Sequence, residues 1–105
     1  MTLTQIITRL ELATNGSRGI DQEIADVIGH VFKPRMMPRY SRSFDAAFSL
    51  MLPGCDWDIG YIQTQGYVAH VMRRASPDGW VAESGKAPTA PLALCIAALK
   101  ARQGA

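Results

Sequence analysis

The hydrophobic period of this chain changes at Pro53-Gly54, and that change limits the folds open to it. Upstream, apolar residues recur at helical spacing. From Cys55 they alternate, so that Trp57, Ile59 and Tyr61 fall on one face of an extended segment and Asp56, Asp58 and Gly60 on the other. Gln65-Gly66 predicts a hairpin turn. Tyr67 to Met72 reads as a second strand, apolar on both faces: Tyr67, Ala69 and Val71 against Val68, His70 and Met72. Ser76-Pro77-Asp78-Gly79 is a turn signal, and Trp80 to Glu83 a short third strand. Strands joined by turns this short are antiparallel, because parallel neighbours need long crossovers. A strand apolar on both sides reads as central and covered twice, which asks for helices on both faces of the sheet.

The flanking segments supply those helices. Leu3, Ile6, Ile7, Leu10 and Thr14 share one face behind a cap at Thr2 or Thr4. Asn15-Gly16-Ser17 turns the chain, and Ile20, Ile24, Val27, Ile28 and Val31 line a second helix. Its first turn holds Asp21 and Glu23, where carboxylates favour the positive end of the helix dipole. Pro34 and Pro38 interrupt regular structure, and Ser43 then caps a short helix carrying Phe44, Ala47, Phe48 and Met51. After a loop from Ser84 to Pro88, Thr89 or Ala90 opens a last helix with Pro91 in its first turn. Leu92, Cys95, Ile96 and Leu99 form its main face, widened by Leu94, Ala97, Ala98 and Ala101. A helix so widely apolar is buried between layers or shared with a partner.

The expected architecture is therefore α+β, in the order αααβββα, with a three-stranded antiparallel meander between helical layers, an α/β/α sandwich. With 105 residues it is a single domain, 1–105. Its parts are a helical hairpin at 2–31, an irregular connector at 32–42, a short helix at 43–52, a β-meander at 55–84 and a C-terminal helix at 90–102. Trp57 and Trp80 are expected in the core.

Composition removes several function classes. Hydrophobic residues make up 48% and charged residues 19%, which argues for a folded domain rather than a disordered tail. A net charge of +2 is too small to imply a polyanionic partner by itself. The uncharged stretch Ala87 to Leu99 is shorter than the ~20 residues of a membrane span, so no membrane association is expected. Met1 to Leu12 lacks the order of a secretory signal, and Cys55 and Cys95 make no disulfide framework. The expected location is cytoplasmic.

Three stretches carry a resemblance. They are TRLELATNGSRGIDQEIADVIG (Thr8 to Gly29), YSRSFDAAFSLMLPGCDW (Tyr40 to Trp57) and APTAPLALCIAALKAR (Ala87 to Arg102). In this order they resemble the phage ABA sandwich domain, found in uncharacterised proteins of bacteriophages and prophages. The resemblance covers nearly the whole chain. It implies an α/β/α sandwich and no activity, and no functional residue is carried over from it. The stretch Phe32 to Arg39, rich in methionine and arginine, departs from the pattern.

Candidate sites are few. Lys33, Arg35, Arg39 and Arg42 cluster in the connector with no acidic residue between Asp26 and Asp45, a set able to contact nucleic-acid phosphates, with Phe32 and Tyr40 to stack on bases. Solvated loop charges explain the same cluster. Arg73-Arg74 would extend it or mark where the second strand meets water. A helix-turn-helix reading of the first two helices fails because the second presents Asp21, Gln22, Glu23 and Asp26 where base edges need donors. Asp56 and Asp58 point the same way, and His70 can join them across the hairpin, a pairing open to acid–base work or to a solvated face. His30 lies one helical turn after Asp26, a surface pair. Ser84-Gly85-Lys86 lacks the glycine spacing of a phosphate loop. Neither a catalytic constellation nor a metal or cofactor site is expected.

The favoured function is a non-enzymatic protein-interaction module of a phage or prophage accessory type. Its partner is an unknown protein or a second copy, met through Met36 and Met37 or through Leu94 and Ala98 of the last helix. The alternative is nucleic-acid binding by the basic connector at 33–42.

Overall fold

Four hydroxyl side chains set where the helices begin. The Thr2 side chain accepts the Gln5 N–H and the Gln5 side chain returns to the Thr2 N–H, a capping box that opens α1 (Leu3–Leu12). Ser17 caps α2 (Arg18–Ile28), Ser43 caps α3 (Phe44–Phe48) and Thr89 caps α4 (Ala90–Gln103), whose first turn holds Pro91. The structure, a computed structural model, describes residues 2–29, 36–77 and 79–104. Helix α3 is shorter than the span 43–52. The Ser49 hydroxyl bonds the Ala46 carbonyl, and the backbone leaves helical geometry toward Pro53.

The alternating segments form β1 (Asp56–Ile62), β2 (Gly66–Ser76) and β3 (Gly79–Ala87), an antiparallel sheet in the order β1-β2-β3. The fold is α+β in the order αααβββα. Asp58 pairs with His70 and His70 with Ser84; Ile59 pairs with Ala69 and Ala69 with Gly85. Strand β3 runs beyond its expected end at Glu83, so Ser84 to Ala87 lie in the sheet rather than in a loop. Poor strand formers hide this extension, and the packing explains one of them. A Cβ on Gly85 would stand 2.4 Å from the Ala93 carbonyl oxygen and 2.8 Å from the Ala97 nitrogen, so only glycine lets β3 meet α4 this closely.

Helix α4 is the centre of the molecule. Every residue from Leu92 to Leu99 is buried. One side rests on Ala69, Val71 and Ala87 of the sheet; α1 lies alongside it next to β3, and α3 flanks it near β1. Tyr40 closes the remaining side, where the Cys95 thiol donates to its carbonyl at 3.0 Å. Lys100 donates to the Ser84 carbonyl and Arg102 to the Leu50 carbonyl, tying the end of α4 to β3 and to the exit of α3. The breadth of the apolar face is thus explained by layers of the same chain.

The helical layers differ from the sandwich expected. Among the described residues, the helices that touch the sheet lie on the face of Ile59, Ala69, Val71 and Gly85. The opposite face, carrying Asp56, Asp58, His70, Trp80, Ala82, Ser84 and Lys86, is largely open. Val68 on that face is buried yet stands apart from the main core cluster. The two-sided hydrophobic pattern of β2 therefore did not bring a second helical layer among the described residues. The tryptophans are displaced too. Trp57 is 38% and Trp80 53% exposed, because both sit on edge strands.

Candidate functional site

Strand β1 is an edge, and its helix-facing row is only partly roofed. Helix α3 has five residues, and its Phe44 and Phe48 pack on the Trp57 ring with centroids 5.5 and 5.4 Å away. Beyond that contact the row continues into Tyr61, 63% exposed, whose ring meets Tyr67 at 5.0 Å. Phe48, Trp57 and Tyr61 thus form an apolar ledge along an edge strand, while Ile62, also exposed, turns to the opposite face. The alternation at Trp57, Ile59 and Tyr61 was visible in the sequence. That Tyr61 would be left exposed was not.

On the open face His70 and Asp58 meet as the hairpin register suggested, Nδ1 to Oδ1 at 2.8 Å. Asp56 lies opposite Met72, one pair further along the same row. The side chains of His70 and Asp58 are 46% and 67% exposed, so water competes for both. Arg74 stacks over Trp80, 5.3 Å from the ring centroid, on the same face. Arg73 points the other way and donates to the Gly104 carbonyl.

The basic connector is reorganised by a group that the sequence assigned to a helix dipole. Asp21 is fully buried. Its Oδ1 accepts the Ser41 N–H at 2.8 Å and the Ser41 hydroxyl, while Oδ2 takes both Nε and an Nη of Arg42 at 3.0 Å. Ser41 in turn bonds both backbone groups of Ser17. The loop backbone also crosses Gly16 so closely that a Cβ there would lie 2.0 Å from the Ser41 carbonyl oxygen. This knot fastens the start of α2 to residues 41–42 and commits Nε and one Nη of Arg42 to Asp21, while the Arg42 side chain stays 39% exposed. Tyr40 is buried and has no face to offer a base. Burial raises its hydroxyl pKa, only partly offset by the nearby Arg102, and burial also raises that of the Cys95 thiol. Arg39 is exposed; Lys33, Arg35, Phe32 and His30 lie outside the described residues.

The protein-interface candidates divide. Met36 is 70% exposed, and Met37 packs partly against the core. Leu94 and Ala98 are fully enclosed and form no surface, since α4 is surrounded on all sides. A shallow groove of about 600 Å³ runs between α1 and α2, lined by Gln5, Arg9, Leu12 and Thr14 among others. Among the described residues, no three metal-ligating side chains come together, and no helix is long and apolar enough to cross a membrane.

The chain matches no family model, no curated protein and no solved structure.

Proposed function

We propose that this chain is a non-enzymatic protein-interaction module, acting in the cytoplasm in the manner of a small phage or prophage accessory protein. The observation that supports the reading is the ledge of Phe48, Trp57 and Tyr61 on the edge strand β1. Partly exposed aromatic rings on a rigid strand are the side chains that anchor protein interfaces, because they bury large areas at little cost in side-chain entropy. The free edge adds backbone donors and acceptors that a partner can satisfy. The interface so proposed is β1 and α3, rather than Leu94 and Ala98.

Site-specific photo-crosslinking in cells tests it. A benzophenone amino acid in place of Tyr61 should give a covalent adduct with protein. The same group in place of Gln22, exposed on α2, should give none. Failure to trap any protein from position 61, or an adduct that nuclease removes, would overturn the reading.

A further inference from the structure

We propose that the occupant of the ledge is a second copy of this chain, joined by antiparallel two-fold pairing of β1 with β1; this rests on the interaction reading above. The strand has seven residues, Asp56–Ile62, and Ile59 is its centre. Residues directly opposite in an antiparallel pair share a face, so the two-fold can fall only on a residue of each strand and not between two. Centred on Ile59, all seven residues pair. Trp57 then lies opposite Tyr61 of the other copy, twice over, on the helix-covered face, and Ile59 lies opposite itself. On the open face Asp58 lies opposite Gly60, and Asp56 opposite Ile62.

The neighbouring registers are worse. Centring on Asp58 sets two carboxylates against each other, which is destabilising, and shortens the overlap. Centring on Gly60 moves Trp57 off the strand, opposite Gln63 of the other copy. Only the Ile59 register combines full overlap, paired aromatics and no like charges face to face. Asp58 is also turned toward its own sheet by the bond to His70. The two ends of the ledge are complementary as well: the α3-roofed end with Phe48 and Trp57 meets the bare end with Tyr61. The other sheet edge, β3, has α1 beside it.

The size of the contact sets its strength. Phe48, Trp57 and Tyr61 leave about 300 Å² of side-chain surface exposed per copy, and the backbone edge and Ile62 add to that. A standard interface buries about 800 Å² per partner. The dimer is accordingly weak and dissociates on dilution, with Kd on the order of micromolar.

Gly60 gives a test with two signs. It is exposed, and among the described residues nothing lies within 4 Å of a Cβ built on it, so a side chain there leaves the monomer intact. In the proposed register position 60 faces Asp58 of the other copy. Gly60→Asp should weaken the dimer about tenfold, through two symmetric like-charge pairs, and Gly60→Lys should tighten it at low salt. Sedimentation equilibrium over a dilution series reads both, with melting curves of dilute samples to verify the fold. Should Gly60→Asp melt early, Tyr61→Ser must still weaken the dimer. A wild type that is monomeric at high-micromolar concentration overturns the proposal, as does a dimer indifferent to both charges. If the wild type is monomeric while the photo-crosslinker at position 61 traps a different protein, the dimer fails and the interaction reading stands. If nothing is trapped, both fall.

Discussion

One methyl group placed at two glycines of the same sheet should produce opposite results. At Gly85 the added carbon meets the backbone of α4, 2.4 Å from the Ala93 oxygen and 2.7 Å from the Ile96 Cβ. Backbone atoms cannot rotate away, so relief requires α4 and β3 to separate. Since α4 contributes the buried run Leu92 to Leu99, separation loosens the main core. Overpacking of this kind costs about 1–3 kcal/mol, and the backbone character of the clash puts Gly85→Ala at the upper end. At Gly60 the added carbon meets nothing among the described residues, and removing a strand glycine recovers about 0.5–1 kcal/mol. The two variants should therefore differ by about 3–4 kcal/mol, a large share of the roughly 5–15 kcal/mol that holds a domain together. Urea unfolding followed by far-ultraviolet circular dichroism, in dilute samples, measures the difference, with unchanged m-values as the condition for comparing midpoints. A Gly85→Ala variant as stable as wild type would refute the close packing of α4 on β3. Equal losses at both glycines would refute the placement of one face against helix and the other against water.

The buried knot makes a second prediction. Asp21→Ala strands the Ser41 N–H and the Arg42 guanidinium and should cost about 2–4 kcal/mol, whereas Asp21→Asn, which still accepts from Ser41, should lose less; equal losses in the same urea assay would show that the Ser41 bonds contribute nothing. Leu99→Ala, fully buried, should cost about 2–5 kcal/mol, and Trp80→Ala, half exposed over Arg74, at most about 1 kcal/mol; the reverse ranking would show that the core is misplaced. Burial holds the Cys95 thiol above its ordinary value of 9.0 and the Tyr40 hydroxyl above 10.0. The unfolded chain therefore releases these protons first, and stability is complete below pH 9 and falls as pH rises beyond it. Melting temperatures should decline above that point, less steeply in Cys95→Ala; identical slopes would exclude the thiol as a contributor.

The cap residues and the facing of side chains along each strand were legible in the sequence because they depend on a few consecutive residues. Ser43 caps as expected, and of the pairs the sequence left open, Thr2 rather than Thr4 and Thr89 rather than Ala90 are the caps. Trp57, Ile59 and Tyr61 share a face, and Asp58 meets His70. The candidate surface was less legible. Leu94 and Ala98 have the composition of an interface and form the core, while Trp57 has the composition of a core residue and stands at the surface. Apolar character marks a side chain that must leave water; it does not say whether its own chain or another one will cover it.

From its own residues the chain determined four helices, three alternating strands, the tight turns that make them antiparallel, and one helix too apolar to face water. These follow from local geometry: a hydrogen bond within one turn, a period of two or of 3.6. Tertiary structure alone decided which face of the sheet the helices cover, that Asp21 reaches Arg42 across the connector, that Gly85 admits α4, and that Tyr61 is left exposed. Each of those depends on segments far apart in the chain arriving at the same place, and a local pattern does not encode the distance between them.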